Sequence, residues 1–292
     1  MDVSVAHIKH FDADIRLKAQ QMKPRLAHTA LDRGNIVGES FTISQVEKSP
    51  GEMTEVTTRF GDTQFNSPDH EVRNVVMRDF FEAEPVDRTD LPKLLKDPGA
   101  GTYQATLLAK LSRTQDKHFY DAARGNAILK DGSSVALPTS QKIAHGSTGF
   151  TKAKIVQARK LFRQNEQDQH EGKQLYMAYT ADMLEDILAN DTELIDQDII
   201  KLQLLQAGDL KGEWAGFIWI PFENVDVDPL DANSRLSIAW CTGAIHKGTG
   251  YQEGRIDNRP DKRNLKQVSL ASSHGLGRAE ETGVVEFSFK VA

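Results

Sequence analysis

Two histidine and glycine motifs, HKGTG at 246–250 and HGLGR at 274–278, invite a search for phosphate chemistry, because backbone N–H groups freed by glycine can cradle an anion. Neither has the spacing of a P-loop or of a dinucleotide fingerprint, so neither predicts a phosphate site. Asp226, Asp228 and Asp231 crowd the stretch DVDPLDAN and would suit a hard cation. Pro229 and the missing glycine break the calcium-loop pattern, which favours a solvated acidic turn. His7 and His10 form the one close histidine pair, with no acid or thiol ligand beside them, and read as the surface of a helix. Cys241, the only cysteine, sits in the strand-like run SIAWCTGAI; it excludes an intrachain disulfide and a multi-cysteine zinc site and reads as a buried structural thiol. GSTG at 146–149 carries a serine without a nucleophile-elbow pattern. With 42 Asp and Glu in the chain, carboxylate pairs carry no information about acid–base work. No residue is nominated as catalytic, cofactor-binding or metal-ligating, and the chain reads as a non-enzyme.

At 292 residues the chain exceeds the usual size of one core, so two or three subdomains or one elongated body are expected. A hydrophobic content of 39% and a charged content of 27% are those of a folded globular protein. The apolar runs are too short to span a membrane, and MDVSVAHIKHF lacks the basic-then-apolar pattern of a signal peptide, so a soluble, non-exported protein is expected. A net charge of -6 argues against broad neutralisation of nucleic-acid phosphates.

Residues 6–31 are helix-prone up to the break at Pro24. SFTISQV (40–46) and EVTTRFG (55–61) read as the two strands of a long hairpin turned by Ser49-Pro50-Gly51. A lone two-stranded hairpin is marginal, so it must lean on a partner. Within residues 89–126, Tyr103, Leu107, Leu108 and Leu111 recur at helical spacing, Arg113 to Lys117 interrupt the stripe, and Gly125 is a natural cap. The segment reads either as a helix touching different neighbours at its two ends or as a plain core helix with one solvated turn.

From Ser147 helices and strands interleave. TKAKIVQARKLFRQN is a helix, LYMAY a short buried strand, and TADMLEDILAND a helix capped by Thr180; IIKLQLLQAG is a helical run stopped by Gly208 and GFIWIPFENV a strand. Residues 235–292 return to strands around the polar loop GRIDNRPDKRN. In the last strand Val285, Phe287, Phe289 and Val291 alternate with Glu286, Ser288 and Lys290, predicting one buried and one wet face.

This order of parts resembles the major capsid proteins of tailed bacteriophages, whose α+β architecture is the Johnson fold. GTYQATLLAKLSRTQDKHFYDAARGNA is similar to the spine-helix block, with Arg113 and Asp116 three apart. FTKAKIVQARKLF, LYMAYTADMLEDIL and GFIWIPF are similar to the axial-domain block, and RLSIAWCTGAIHKGTGYQEGRIDNRPDKRN with GLGRAEETGVVEFSF to the return into the peripheral domain. The resemblance implies an N-terminal arm (1–37), an extended β-hairpin loop and its return (38–88), a peripheral domain with the spine helix (89–145), an axial domain (146–245), and peripheral strands with a tip loop and closing C-terminal strand (246–292).

It further implies a structural subunit that assembles as pentamers and hexamers of an icosahedral head, encloses double-stranded DNA without reading its sequence, and is made in the bacterial host cytoplasm before residing in the virion. A separate scaffolding protein, a portal and a decoration protein are the implied partners, with no cofactor and no membrane. The alternatives are a protein-cargo shell of encapsulin type and a soluble α/β enzyme. The candidate assembly-interface residues are Lys48, Glu52, Glu55 and Arg59 in the hairpin, Arg113 and Asp116 in the helix, and Arg255, Asp257, Arg259, Asp261, Lys262 and Arg263 in the tip loop.

Overall fold

The computed structural model describes residues 19–49, 52, 53, 55, 59, 65, 67–86, 102–187, 210 and 213–291. In chain order its strands and helices are β1 (Leu31–Asn35), β2 (Ser40–Val46), β3 (His70–Val76), β4 (Arg78–Val86), α1 (Thr102–Arg124), β5 (Ala127–Leu129), β6 (Ser134–Val135), β7 (Lys142–Ile143), α2 (Lys152–Gln164), β8 (Leu175–Tyr179), α3 (Ala181–Glu185), β9 (Glu213–Trp214), β10 (Phe217–Pro221), β11 (Val227–Asp228), β12 (Asp231–Cys241), β13 (Ile245–Arg259), β14 (Leu265–Arg278) and β15 (Val284–Lys290). No described helix is long and apolar enough to cross a membrane.

The main core is a mixed sheet in the order β7-β15-β12-β8-β10-β9, with β11 added to β12. β8 and β10 run parallel, while β12 is antiparallel to both β8 and β15. α1 and α2 cover opposite faces of this sheet. Phe119 of α1 meets Trp240 edge-on at 5.1 Å, whereas Phe150, just before α2, packs on Phe287 at 5.3 Å. Covering both faces explains the first departure from the sequence reading. β15 has no wet side through Phe289: Glu286 and Ser288 are buried along with Phe287 and Phe289, because α1 lies over the face that alternation assigned to water.

α2, β8 and β10 lie where the pattern predicts, and the Thr180 hydroxyl accepts the Met183 N–H at 3.3 Å to cap α3. Cys241 is buried in the core as a free thiol. The run IIKLQLLQAG, His7 and His10, and residues 1–18 of the predicted N-terminal helix lie outside the described residues. Residues 19–31 are not a continuation of that helix: they hold a 3-10 turn at Ala27–Thr29 and then enter β1.

A second sheet, β1-β13-β14-β4, is built on a long hairpin in which Ile245 to Arg259 pair with Leu265 to Arg278. The polar loop predicted at 254–264 is therefore half strand. Its turn shrinks to the 3-10 segment Pro260–Lys262 followed by Arg263 and Asn264 at positive φ. The third sheet, β2-β3-β5-β6, corrects the predicted hairpin. SFTISQV pairs with HEVRNVV, Ser40 opposite Val76 and Val46 opposite His70, and not with EVTTRFG, most of which lies outside the described residues. Alternation in EVTTRFG is a local signal, whereas pairing was decided by which segment could present Val75 to the core beside Phe41 and Ile43.

Candidate functional site

α1 is the element on which the other parts converge. At 100° per residue, its buried side chains from Leu107 to Ala123 sweep an arc of about 220°, far wider than one amphipathic stripe. Gln115 and Asp116, in the supposedly solvated turn Arg113 to Lys117, are buried inside it, as is Ser112 just before, while Arg113 stays exposed. The Asp116 carboxylate accepts backbone N–H bonds from Arg25 at 2.7 Å, Leu26 at 2.8 Å and Ala27 at 3.0 Å, and a further bond from the Gln21 amide. These are the donors that open the Ala27–Thr29 turn, so Asp116 caps it from another element. Leu26 enters the core beneath it, and Trp240 donates its indole N–H to Thr29 at 3.0 Å.

The last turn of α1 is tied to the central sheet. Arg124 pairs with Asp226 and Glu286, Lys117 with Asp226 at 2.6 Å, and the Tyr120 hydroxyl donates to the Leu236 carbonyl at 2.6 Å while receiving the Asp226 N–H. Asp226, drawn to Lys117 and Arg124 against the opposing effect of burial, has its carboxyl pKa held below the usual range. Asp228 accepts from Ser288 and Asp231 from Ser234, so the three aspartates of this turn diverge to separate partners; Asp226 and Asp231 stay partly exposed, as expected of an acidic turn, and only Asp228 is buried. Among the described residues no group of three or more His, Cys, Asp or Glu could hold a metal ion. Arg278, buried in β14, donates to the carbonyls of Ala123, Gly125 and Val135 at 2.6 to 3.0 Å and so covers the negative end of the helix dipole.

The glycines of HKGTG and HGLGR now have a structural role. Gly248 lies directly opposite Gly275 in the β13–β14 ladder, and the base of the β2–β3 hairpin lands on them. A Cβ at Gly248 would sit 2.8 Å from the Phe41 ring, and one at Gly277 would sit 2.3 Å from Val75. The landing is locked by Arg73, 3% exposed, whose guanidinium holds Glu281 through two bonds of 2.7 Å and also reaches Glu71. The histidines of the same strands are packing elements. His274 stacks on Phe80 at 4.6 Å and meets His118 of α1 at 5.3 Å. Burial, helped by each other's or neighbouring positive charge, pushes the pKa of His118 down to about 3 and that of His274 to about 4, so both are neutral at pH 7.

The sequence-nominated residues fall into three groups with no hydrogen bond or ion pair joining one group to another among the described residues. Lys48 pairs with Glu166 at 2.6 Å on an open surface, and Glu52, Glu55 and Arg59 are exposed. Arg113 is exposed on α1, but Asp116 is fully buried, which removes it from any surface between subunits. The reason is the coverage of α1's middle by the chain's own residues 21–29. At the long hairpin's end Arg255 pairs with Glu253 and Arg259 with Asp261, while Asp257, Lys262 and Arg263 are exposed. Arg73, Arg278, Glu281 and Arg124 were missed; the available signal was an arginine amid the small and apolar residues of a predicted strand, as in HGLGR.

The profile of one family, described as phage capsid protein, matches residues 3–291. The chain belongs to the phage capsid protein family. The structure is similar to the capsid asymmetric unit of cyanophage Pam1 (13% identity, 100% of this chain and 98% of that one, TM-score 0.74) and to the capsid of Ralstonia phage GP4 (11%, 98% and 96%, 0.69). It is also similar to an acidic stable capsid structure of Helicobacter pylori bacteriophage KHP30 (10% identity, 96% and 95% coverage, TM-score 0.70). A search of curated proteins finds no match. The fold is thus the α+β fold of tailed-phage major capsid proteins, and the protein is a structural subunit of a phage head, located in the virion and built to self-assemble. The cargo-shell and enzyme readings are not favoured.

Proposed function

We propose that this subunit forms pentamers and hexamers of an icosahedral head that encloses double-stranded DNA, after synthesis in the host cytoplasm and with a separate scaffolding protein, a portal and a decoration protein as partners. The family match across residues 3–291 carries this reading. The segment 1–37 would act as the arm, 38–88 as the extended loop, 89–145 as the spine-helix domain, 146–245 as the axial domain, and 246–292 as the returning strands, tip and closing strand. β15 belongs to the same sheet as β8, β10 and β12, which supports treating the last two segments as one mechanical body.

Uncovered apolar side chains support an intersubunit role for the hairpin region: Met53 is 100% exposed, Phe65 93% and Val46 58%. Such groups gain about 25 cal/mol per Å² of apolar surface when a neighbour covers them. Lys48, Glu52, Glu55, Arg59, Arg113 and the tip charges Arg255, Asp257, Arg259, Asp261, Lys262 and Arg263 would border that contact. Exposed pairs there are worth only about 0.2 to 1 kcal/mol each, weak enough for misplaced subunits to leave. Electron microscopy of the purified protein tests the reading: closed shells built of capsomers are expected, and a strictly monomeric chain under all assembly conditions would overturn it.

A further inference from the structure

α1 leaves an apolar gap in its seat on the second sheet. Leu107 and Leu108 of the helix, Leu270 of β14 and Gly254 of β13 line a cavity of about 200 Å³, with Gln104 and Gln252 at its rim. Gly254 has no side chain to fill the space, and a Cβ there would meet nothing nearer than 3.9 Å. Leu108, 41% exposed, is the one large apolar side chain of α1 left uncovered among the described residues. Ile256, 44% exposed, lies two residues on from Gly254 and so on the same face of β13. The chain upstream of β1 runs toward this gap. Asp116 holds the N–H groups of Arg25, Leu26 and Ala27, and one turn back along α1 the Ser112 hydroxyl donates to the Met22 carbonyl at 3.2 Å. One further turn is Leu108, and another is Gln104. The track also follows the flank on which the gap opens. Burial lowers the pKa of the Lys247 ammonium in β13 while the carboxylates of Asp32 and Asp116 oppose it, so Asp116 sits on the β13 side of α1. Lys110 pairs with Glu82 and Glu84 of β4 on the other side.

We propose that Ile15 and Leu17 of the same chain fill this gap, so that residues 15–18 form a strap along α1 and complete its seat. Ile15, Arg16, Leu17 and Lys18 alternate apolar with basic, so turning Ile15 and Leu17 inward keeps Arg16 and Lys18 in water. Leu17 lies five residues before Met22. That length of chain covers up to about 17 Å, more than the roughly 12 Å of helix axis from Ser112 to Gln104. Gln104 and Gln252, both exposed, stand where their amides can serve the strap's backbone. Tethering through Met22 gives this segment an effective concentration on the order of millimolar at the gap, an advantage that an apolar segment of a second copy lacks. The strap belongs to the isolated subunit and is independent of shell formation.

Limited trypsin digestion of the full-length subunit, with the bonds after Arg16 and Lys18 followed by mass spectrometry, tests this. Docking is expected to slow both cuts about 10-fold or more relative to a peptide of residues 11–22, since burying one leucine side chain shifts a population by at least that factor. L108Q, at an exposed site, is expected to bring both rates close to those of the peptide. I15Q/L17Q, which changes the strap and leaves the walls of the gap intact, is expected to do the same. V156Q, at an exposed apolar site on α2, is expected to keep the wild-type rates. Wild-type cleavage at the peptide rate, or rates unchanged in both L108Q and I15Q/L17Q, would overturn the proposal. So would protection that fades on about a hundredfold dilution, which identifies a second copy as the occupant.

Discussion

Asp116 offers the sharpest test of how α1 organises the subunit. In D116A three backbone donors lose their acceptor, and two of them belong to Leu26 and Ala27, which are 0% and 2% exposed. Each buried N–H left unsatisfied costs about 1 to 3 kcal/mol, and the Arg25 N–H, nearer to solvent, costs less. The sum is about 3 to 6 kcal/mol, a large share of the roughly 5 to 15 kcal/mol that holds a typical domain together. The loss is expected first as local opening of residues 21–29, since Leu26, Ala27 and Thr29 carry that segment's attachment to the core. Native-state hydrogen exchange reads it directly. The amides of Leu26 and Ala27 are expected to exchange about 10² to 10⁴ times faster, at about 1.4 kcal/mol per tenfold. Amides in β8 are expected to respond less. D116N keeps one acceptor oxygen and is expected between D116A and wild type. If Leu26 and Ala27 exchange within threefold of wild type in D116A, the capping role is wrong.

Acid weakens the seat of α1 in a definite direction. The folded pKa values of His118 and His274, about 3 and about 4, lie below the unfolded value near 6.5. The unfolded chain therefore binds protons first, and stability is full above pH 6.5 and falls towards pH 4 by up to about 1.4 kcal/mol per unit for each histidine. Urea midpoints at pH 7.5 and 4.5 check this, and an H274F variant whose midpoint falls as steeply as wild type would contradict it. G277A is expected to destabilise by about 1 to 3 kcal/mol, because the new Cβ meets Val75 at 2.3 Å, whereas G254A, with Leu270 at 3.9 Å, is expected to stay near wild type in thermal unfolding. R278M leaves the carbonyls of Ala123 and Gly125 at the end of α1, and of Val135 in β6, without their guanidinium and is expected to cost about 3 kcal/mol or more in chemical denaturation. Deleting residues 45–58 is expected to leave a subunit that folds by circular dichroism but builds no shell; normal heads from that variant would refute the hairpin's role.

Periodicity made α2 legible, and short apolar runs made β8 and β10 so; α1 showed its helical spacing but not the full width of its buried arc. What periodicity concealed is where two layers meet one element. Glu286 and Ser288 look wet beside Phe287 and Phe289, and Asp116 looks solvated beside Gln115. Each is buried because a distant segment supplies the partner: Arg124 for Glu286, Asp228 for Ser288, and residues 21–27 for Asp116. Polar burial of this kind depends on contacts about 90 to 160 residues apart for Asp116 and Glu286, which no local window contains. The strand partner of SFTISQV was hidden for a similar reason. EVTTRFG alternates and HEVRNVV does not, yet HEVRNVV is the partner, and its Val75 reaches the glycine floor that also receives Phe41. Of the nominated surface residues, those at the tip were visible because charges with few apolar neighbours stay outside, although their pairing within the chain followed only from the ladder register.

The position of β15 has a bearing on how the polypeptide matures. It lies between β7 and β12, one strand in from the edge of the central sheet, with Val284, Val285, Phe287 and Phe289 in the core. Until residues 284–290 have left the ribosome, β7 has no strand to pair with and the edge of β12 stays open. The central sheet therefore closes only once residues 284–290 are available to pair. A chain lacking β15 would present unpaired strand edges on β7 and β12. Without β15 the exposed edge of β12 is a template for pairing with another chain, so closing the sheet removes a route to aggregation.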